Sequence, residues 1–543
     1  MKKITSSTLL LLVLALSLAL PAQAQGPVSG PGELPIVSQP TKLTIMIVPA
    51  SNIENFETNA FTLWLEEQTG LDLQFQVVPS SDAQAKLNVT LASGQLPDVF
   101  AGFSISEAML AQMGADGLFV PLNDMIEQYG YESKRIFTEE RPHLLPLITS
   151  PDGNIYGLPD INECFHCFTA QKMWIYKPWL DTLGLAVPTT TEEFYQVLKA
   201  FKEQDPNGNG KADEIPLSGA IDGWHTAIDE FLMNSFVFWD RLQHHRLLLQ
   251  DGAIAAAYAQ PGYKEGLEYM NRLYADGLLD SNALIQDRDQ LYLIGNNPEI
   301  NILGATTGGW QGQFVQAATV AEGGRMDEWV TVPALANPEG FHTAGYAPWG
   351  FDNGDWVVTS AAKNPEAAFR LGDFLYNQEA TLRNVFGVKD VNWVYSEEGE
   401  VGINGGPALY RSLTEWTESI QNFAWMQSGI TYRPSDFRLA QSNEGQYVEV
   451  SLFEASNANY MPYVPPIDSL IPPLVFTEDQ ARELADLDLG LKTYIDEMFV
   501  RFVSGDVDVD AEWNTYLATL DSLGLPRLLE IYQEAYDAQQ SLS

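Results

Sequence analysis

The chain has 543 residues, of which 72 are acidic and 29 are Lys or Arg, and its formal net charge at pH 7 is −43. This charge argues against nucleic acid as a partner, because cationic side chains must replace the counterions of phosphate groups. It also disfavours strongly anionic ligands, although salt screens that repulsion beyond roughly 10 Å. The length exceeds what one hydrophobic core normally organises, so at least two domains are expected.

The N-terminus has the pattern of a secretory signal peptide. Lys2 and Lys3 precede the apolar run TLLLLVLALSLAL, and the small-residue pattern AQA follows at 22–24. We expect a signal peptide at 1–24, cleaved after Ala24, and hence an exported protein, periplasmic or extracellular. No cysteine directly follows the cleavage point, so a lipid anchor on an N-terminal cysteine is not expected. No later segment is apolar for the roughly 18 residues that a membrane-spanning helix requires.

The first part of the mature chain predicts a leader followed by an α/β unit. Residues 25–40 are rich in Gly and Pro and are predicted to be a flexible leader. Strands are predicted at 42–49, 71–78 and 97–103, and helices at 57–70 and 82–94. This alternation is typical of a parallel α/β sheet, whose ligands usually lie beyond the carboxyl ends of the strands.

A second α/β unit is predicted to start near 172–177, the segment KMWIYK. In its helix TTTEEFYQVLKAFKEQD, Thr190 and Glu193 have the spacing of a capping box. An apolar stripe at helical spacing is formed by Phe194, Val197, Leu198 and Phe201. Further on, 356–377 predicts a strand followed by a helix, and the chain from Thr477 is predicted to be mostly helical.

The loop DPNGNGKADEIP, residues 205–216, resembles an EF-hand calcium loop that lacks its final ligand. Loop positions 1, 3, 5, 7 and 9 are filled by Asp205, Asn207, Asn209, the backbone carbonyl of Lys211, and Asp213. Gly210 stands at position 6, where the loop turns sharply. Pro216 at position 12 cannot ligate, so Glu214 is the predicted substitute, because a hard cation requires six to eight oxygens. The following EIPLSG is not an amphipathic helix, which predicts half of an EF-hand.

The chain has two cysteines, Cys164 and Cys167, in the segment ECFHCF. In an oxidising compartment a local disulfide between them is the leading hypothesis. Two free thiols are the first alternative. A zinc site with His166 is the second, and it lacks the four ligands of a closed structural site. A thioredoxin-like role would require the motif to open a helix after a strand, whereas the flanking YGLPDINE is typical of a loop.

Several segments together resemble one family: KLTIMIVP, NVTLASGQLPDVFAG, PDGNIYGLP, QKMWIYKPWLDTLGL, FYQVLKAFKEQDPNGNGKADEIPLSG and EWNTYLATLDSLGLPRLLEIYQEAYD. From residue 42 onward the chain resembles extracellular solute-binding protein family 1. It is most similar to the large branch that contains the alginate-oligosaccharide-binding proteins and related lipoproteins. The resemblance implies two hinged α/β lobes around a central cleft, a helix-rich C-terminal part, and delivery of a captured sugar to an ATP-driven ABC-type importer. It also implies a structural calcium ion in the loop at 205–216.

The resemblance also leads to expectations about organisation. The N-terminal lobe is expected to comprise 41–165 and 330–400, and the C-terminal lobe 166–329 and 401–543. Many relatives carry a lipobox cysteine that this chain lacks, so the protein is expected to be free in a periplasm or tethered in some other way. A monomer is expected.

Sugar recognition requires aromatic rings that stack on apolar sugar faces, together with planar polar groups. Four tryptophans stand beside Gly or polar residues and are the stacking candidates: Trp224, Trp310, Trp349 and Trp425. Polar candidates at or near the ends of predicted strands and the lobe crossover are Asn52, Ser104, Asp160 and Asn162. The alternatives are core packing for each tryptophan and local turn capping for each polar residue.

Two functions from different classes remain open. The first is a binding protein that captures an oligosaccharide without chemistry, and the second is a secreted glycoside hydrolase or lyase. The motifs G-x-S-x-G and H-E-x-x-H are both absent from the sequence. The binding protein is therefore favoured and no enzymatic activity is expected. The shortage of positive charge favours a neutral oligosaccharide over a uronate.

Overall fold

A computed structural model describes residues 28–50, 52–241, 245–414 and 419–541. The signal peptide predicted at 1–24 lies outside these residues. Over the described ranges, no helix combines the length and the apolar character needed to cross a membrane. The same ranges form two α/β lobes, each built on its own sheet.

The strands are short and alternate with helices. They are β1 Thr41–Ile47, β2 Leu71–Val77, β3 Val99–Ala101, β4 Leu158–Asn162, β5 Met173–Tyr176, β6 Ile215–Ser218, β7 Leu247–Gln250, β8 Ala253–Ala256, β9 Leu303–Thr307, β10 Trp329–Val332, β11 Phe351–Val358, β12 Trp393–Tyr395, β13 Tyr410–Ser412 and β14 Tyr432–Arg433. β7 pairs with β8 and β12 with β13 as separate two-stranded ribbons.

The helices become longer toward the C-terminus. They are α1 Ala60–Thr69, α2 Ala83–Ser93, α3 Glu107–Ala115, α4 Asn123–Tyr129, α5 Glu132–Arg135, α6 Leu144–Leu147, α7 Lys177–Leu183, α8 Thr191–Glu203, α9 Ile228–Leu232, α10 Pro261–Ala275, α11 Arg288–Gly295, α12 Pro365–Leu375, α13 Gln378–Phe386, α14 Ser435–Leu439, α15 Tyr447–Asn459, α16 Glu478–Ser504, α17 Val509–Ser522 and α18 Leu525–Gln540. The expected helix-rich C-terminal part is thus present.

The N-terminal lobe is organised by a sheet with the strand order β14-β4-β11-β3-β1-β2. β1 is parallel to β2 and β3, and β4 is parallel to β14, but β11 lies antiparallel between β3 and β4. The sheet is therefore mixed, whereas the sequence predicted a parallel one. The carboxyl ends of β1, β3, β4 and β14 lie together with the start of β11, and we call this side the N-lobe edge.

The C-terminal lobe is organised by a sheet with the order β10-β5-β9-β6. β6 and β9 are parallel, while β5 is antiparallel to both β9 and β10. One hydrophobic core joins this sheet to α8, α10 and the last three helices, and it includes Trp174, Phe201, Leu267, Phe502 and Ile531. The apolar stripe predicted on α8 is buried in this core, which confirms the sequence-based helix.

Three crossing segments connect the lobes in the part of the chain that the structure describes. They are 163–172 between β4 and β5, 333–350 between β10 and β11, and 434–446 between β14 and α15. α15 belongs to the C-terminal lobe, since Nδ2 of Asn459 donates to Oγ1 of Thr331 on β10 at 2.7 Å. These three crossing segments form the hinge between the lobes.

Two of the expected lobe boundaries are wrong. β10 pairs with β5 of the C-terminal sheet, so the N-terminal lobe resumes at Phe351 and not at 330. β14 pairs with β4, and Trp425 is buried in the N-terminal core, so the described residues between 401 and 433 do not form part of the C-terminal lobe. Strand pairing between distant segments decides both boundaries, and local sequence patterns carry no signal for it.

Residues 28–40, the described part of the predicted flexible leader, pack against the N-terminal lobe. Ile36 and Val37 are buried in the N-terminal core. The guanidinium of Arg370 donates to three backbone carbonyls of this segment. Two apolar side chains and one distant arginine are enough to fix a stretch whose Gly and Pro content predicted flexibility.

Candidate functional site

The edges of the two sheets flank the same hinge. Segment 163–172 leads from the end of β4 directly to the start of β5. Because β5 is antiparallel to β9, and β9 is parallel to β6, the carboxyl ends of β6 and β9 lie at the start of β5. We call this side the C-lobe edge. The cleft between the N-lobe edge and the C-lobe edge is the candidate site, as expected for open α/β sheets.

Two of the predicted polar residues, Ser104 and Asp160, lie at the N-lobe edge, and each forms hydrogen bonds with one partner residue. Ser104 follows β3, is exposed, and has a left-handed φ of 45°. Its N–H and Oγ both donate to Oδ1 of Asp355, at 2.7 and 3.2 Å. Asp160 on β4 accepts from the N–H and Oγ1 of Thr431 at 2.6 and 2.7 Å. It also lies directly opposite Asp352 on β11.

The two predicted asparagines differ in their surroundings. Asn162, at the end of β4, is half-buried, and its Nδ2 donates to Oε1 of Gln427 at 3.2 Å. Its Oδ1 accepts from Arg438 at 2.5 Å. Asn52 is buried, and its backbone carbonyl accepts from the N–H of Gln421 at 2.8 Å. The structure therefore leaves Ser104 and Asn162 accessible at this edge and encloses Asn52.

Burial raises the pKa of four carboxyl groups at the N-lobe edge, and Asp352 is one of them. Burial and the neighbouring charge of Asp160 raise the pKa of Asp355 to about 8. Burial raises the pKa of Asp160 to about 6, although hydrogen bonds from Thr431 oppose the shift. Burial also raises the pKa of Glu107 to about 7, against the hydrogen bond that Asn353 donates to it. At neutral pH this edge therefore presents both carboxylic acid and carboxylate groups.

A second polar cluster lies in the hinge itself. Glu449 on α15 approaches Nε2 of His166 at 3.5 Å and the guanidinium of Arg438 at 4.0 Å. Burial alone would raise the pKa of Glu449, but His166, Arg438 and Arg433 lower it to about 2. Burial lowers the pKa of His166, so the ring is neutral near pH 7. Glu449 is therefore ionised at neutral pH beside His166, Arg438 and Arg433.

The C-lobe edge carries two of the predicted stacking residues, Trp224 and Trp310, which are both half-buried. A Cβ on Gly309 would lie 2.3 Å from Cε3 of Trp224, and a Cβ on Gly312 would lie 2.3 Å from Cζ2 of Trp310. Each indole thus rests on a glycine of the motif TTGGWQGQ. The ring of Trp224 also lies 6.4 Å from the ring of His166, centroid to centroid, which places it beside the hinge.

The other two tryptophans lie in the N-terminal lobe. Trp349 is on the crossing segment 333–350, half-buried against the N-terminal core, and its indole Nε1 is buried without a hydrogen-bond partner among the described residues. Trp425 is fully buried, contacts the rings of Phe56, Phe61 and Phe75, and donates from Nε1 to Oγ1 of Thr62 at 2.8 Å. The prediction that Trp425 stacks on a sugar is wrong, because aromatic side chains enclose it.

Several residues of the site were missed by sequence reasoning. They are Glu107, Asp352, Asp355, Gln427, Arg433, Arg438 and Glu449. The segment FDNGD at 351–355 gave a usable signal, because it places three polar residues directly before the strand predicted to begin at 356. The rule applied was that ligands lie at carboxyl ends of parallel strands, and it overlooks an antiparallel strand that starts at the same edge. Arg433 ends β14, which is too short to be recognised from its sequence, and Arg438 lies on α14 just after it.

The structure joins Cys164 and Cys167 in a disulfide within segment 163–172. His166, between them, lies with Nε2 3.4 Å from the sulfur of Cys164 and Nδ1 3.8 Å from that of Cys167. Nζ of the buried Lys172 donates to the backbone carbonyls of His166 and Thr169, both at 2.7 Å. The disulfide therefore belongs to a tightly bonded turn of the hinge.

The loop at 205–216 follows α8, whose capping threonine Thr190 accepts from the N–H of Glu193 at 3.1 Å. The loop side chains point inward, since Asp205, Asn207 and Asn209 each accept hydrogen bonds from later backbone N–H groups of the loop. The loop leads to β6, so the half EF-hand predicted from the sequence is present.

Two carboxylates of the loop are arranged as cation ligands would be. Asp213 accepts from the amide groups of Asn207 and Asn209 at 3.0 to 3.1 Å. Oε1 of Glu214 is buried without a hydrogen-bond partner in the described ranges. Burial and the charges of Asp205 and Asp213 raise the pKa of Glu214. A buried, unpaired acceptor beside two other carboxylates fits a bound cation, because hard cations take oxygen ligands.

A separate cavity of about 400 Å³ lies in the C-terminal lobe, away from the two sheet edges. It is mainly apolar and is bounded by residues that include Phe236, Leu248, Pro261, Phe341 and Leu470. It lacks the convergent polar groups that fix a sugar. We therefore place the candidate site in the interlobe cleft.

Comparisons with known proteins agree with this architecture. The profile of the bacterial extracellular solute-binding proteins matches residues 50–382. The fructooligosaccharide ABC transporter substrate-binding protein FusA of Streptococcus pneumoniae is 28% identical over 494 residues, which cover 88% of this chain and 86% of FusA. The structure of FusA in complex with kestose has a TM-score of 0.73 at 24% identity, covering 93% of this chain and all of FusA. An EF-hand mutant of FusA in complex with fructo-nystose has the same TM-score.

Two other structures share the fold at lower identity. The HMO-binding ABC-transporter-associated solute-binding protein of Bifidobacterium longum infantis has a TM-score of 0.76 at 23% identity, covering 92% of this chain and 99% of its own. The alginate-binding protein AlgQ2 without calcium ion has a TM-score of 0.62 at 23% identity, with the same coverage. These likenesses establish the two-lobed fold.

Proposed function

This chain belongs to the bacterial extracellular solute-binding proteins, and from that premise we propose that it captures an oligosaccharide between its lobes and delivers it to an ABC-type importer. The observation that carries the proposal is the convergence of two complementary walls on one hinge. The N-lobe edge supplies hydrogen-bonding groups on strand ends, and the C-lobe edge supplies indole rings backed by glycine. Sugars need both kinds of contact, because each ring has apolar faces and a polar rim.

The proposed contacts are assigned residue by residue. Trp224 and Trp310 stack on sugar rings, and Trp349 joins them from the crossing segment. Ser104, Asp160 and Asn162 bond to sugar hydroxyls. Asn52 supports the edge from behind, because it is buried.

The same proposal includes the cellular setting. The protein is exported, acts as a monomer, and presents its closed form to the membrane subunits of an importer, since lobe closure is the general way in which such proteins report a bound ligand. FusA, the relative with 28% identity, is a substrate-binding protein of an ABC transporter. No turnover of the sugar is expected.

We further propose that the loop at 205–216 holds a structural calcium ion. The ligands would be the side chains of Asp205, Asn207, Asn209, Asp213 and Glu214 and the backbone carbonyl of Lys211. The ion would supply charge compensation for three carboxylates and fix the end of α8 to β6. The unpaired Oε1 of Glu214 supports this assignment.

Thermal unfolding of the mature chain with a panel of neutral, amino and acidic oligosaccharides tests the main proposal. A ligand at 100 times its Kd adds about 2.7 kcal/mol to the free energy of unfolding, which raises the melting temperature visibly. Isothermal titration of each hit then gives the affinity, and chromatography of the recovered sugar shows whether it is intact.

The outcomes separate the candidate functions. Stabilisation by a sugar that is recovered intact supports the binding protein. Cleaved sugar would identify the alternative, a glycoside hydrolase or lyase. The absence of any response across the panel would refute oligosaccharide capture.

A further inference from the structure

We propose that the cleft selects uncharged oligosaccharides and rejects anionic ones, because the N-lobe edge meets the ligand with carboxyl groups that form no salt bridge among the described residues. This inference rests on the proposed function and names the ligand class of the same site. The carboxyl groups are those of Glu107, Asp160, Asp352 and Asp355. In the described ranges, none of them forms a salt bridge.

The four groups are held close together by the fold. Asp160 and Asp352 are directly opposite each other on antiparallel strands, a pairing that keeps side chains on the same face of a sheet. Asp355 is three residues further along β11 and is fixed by Ser104. Glu107 begins α3 and accepts from Asn353 of β11, while its Oε2 is buried without a partner among the described residues.

The cationic groups of the hinge are already engaged. Arg141 forms a salt bridge with Glu163 at 2.9 Å. Arg438 donates to Asn162 and lies 4.0 Å from Glu449. Arg433 is buried, and it donates to Gln427. A uronate entering the cleft would therefore meet the exposed carboxyl group of Asp352 and the half-buried one of Asp160, while each of these three arginines already has a hydrogen-bond or salt-bridge partner.

Hydroxyl groups suit this wall better than any charged group. A sugar hydroxyl donates to a carboxylate and accepts from a carboxylic acid, so it pairs with either protonation state. A carboxylate on the ligand has no hydrogen to donate to an ionised group and is repelled by it, since like charges placed together cost several kcal/mol. It finds a donor only where one of these groups keeps its proton. Shared protonation among these groups is consistent with the raised pKa values of Asp160, Asp355 and Glu107.

The test compares three forms of one ligand. The best neutral oligosaccharide from the panel, the same sugar with one primary hydroxyl oxidised to a carboxylate, and the amide of that acid are titrated at pH 8 and low salt. We expect the acid to bind at least about 100-fold more weakly than the parent sugar, and the amide to bind within about tenfold of it. Asp352→Asn should recover about tenfold of the lost affinity for the acid.

The matched control is Asp72→Asn, which removes one exposed carboxylate from β2 of the same lobe, near the opposite end of the sheet. It should leave the affinities for acid and parent unchanged, and the melting temperatures of both variants report their folding. Equal affinity for acid and parent would overturn the inference while the proposed function stands. Equal loss for acid and amide would assign the discrimination to shape and also overturn it.

Two further outcomes complete the test. Tighter binding of a glucosamine trimer than of any neutral sugar would show that the N-lobe edge selects a cationic ligand. That result would contradict the inference that the ligand is uncharged. If no oligosaccharide binds in any form, both the proposed function and this inference fail.

Discussion

The two walls of the cleft are built in opposite ways. On the N-lobe edge, polar groups sit on strand ends and bond to one another, as Ser104 does with Asp355 and Asn162 with Gln427. On the C-lobe edge, indoles sit on loops and lean on glycines. The N-lobe edge, whose polar groups are held by hydrogen bonds, is suited to directional hydrogen bonds. The C-lobe edge, whose indoles lie on loops, is suited to ring stacking, whose geometry tolerates small displacements. Selectivity should therefore depend on the first wall and much of the affinity on the second.

The largest expected effect separates a core tryptophan from the wall tryptophans. Trp425→Ala should lower the free energy of unfolding by about 3–5 kcal/mol, because it leaves a cavity among Phe56, Phe61 and Phe75. Sugar affinity of the protein that remains folded should change little. Chemical denaturation measures the free energy of unfolding, and titration measures the sugar affinity. A large loss of affinity at unchanged stability would show that Trp425 contacts the sugar.

Calcium removal should lower stability without touching either wall. If calcium is present at 100 times its Kd, a chelator should lower the free energy of unfolding by about 2.7 kcal/mol. Glu214→Gln should reduce this response, because the neutral amide is a weaker ligand for a hard cation. Lys211→Ala is the matched control, since only its backbone carbonyl is assigned to the ion. Melting curves with and without chelator give the result, and an identical response in wild type and Glu214→Gln would contradict the assignment.

Loss of ring stacking at the C-lobe edge should reduce the affinity for the sugar. Trp224→Ala removes an indole from the cleft, and we expect affinity to fall about 10- to 100-fold from the lost apolar contact area. Gly309→Ala should also lower the affinity, but by less, because the new methyl group displaces Trp224 by contact with its ring. Isothermal titration measures both variants. Unchanged affinity in Trp224→Ala would remove the C-lobe edge from the proposed site.

A pH dependence of the free energy of unfolding is also expected from the N-lobe edge. Burial and the charge of Asp160 raise the pKa of Asp355 from 3.8 to about 8 in the folded protein. The folded state thus holds this proton more tightly than the unfolded chain, so the group lowers the free energy of unfolding progressively as pH rises from about 4 to about 8. The groups that face Asp355 are Ser104, Asp160 and Asp352.

Asp355→Asn should remove that contribution, because an amide keeps the acceptor for Ser104 and does not ionise. Denaturation of both proteins at several pH values gives the difference, which cancels the opposing contributions of Glu449 and Lys172. Parallel pH profiles for wild type and variant would contradict a raised pKa at Asp355.

Much of the fold follows from local sequence, and much of the site does not. The strand predicted at 42–49 is β1, and the helix predicted to end at Gly70 ends there in a left-handed turn. Periodicity and capping act over a few residues, so the sequence displays them. The position of Trp425 depends on aromatic rings from residues 56–75, more than 340 positions away. Its polar sequence neighbours gave the opposite indication.

The loop at 205–216 was predicted well for the same physical reason. Its ligands are contiguous, so their spacing is visible before folding. The carboxyl groups of the N-lobe edge come from α3, β4 and β11. The pairing of β11 with β3 and β4 brings them together, although all strands of the C-terminal sheet lie between β4 and β11 in the sequence. The rule about strand ends found Ser104 and Asp160, and it missed Asp352 and Asp355 because β11 runs the other way.

The place of β11 in its sheet also sets an order in time. β11 lies between β3 and β4 and joins them, yet it begins at Phe351, after every strand of the C-terminal sheet. A ribosome therefore completes the residues of the second sheet before it makes the middle strand of the first. The N-terminal lobe is synthesised first but is the last to complete its sheet. Until then β3 and β4 each lack a neighbour on the side that β11 will occupy.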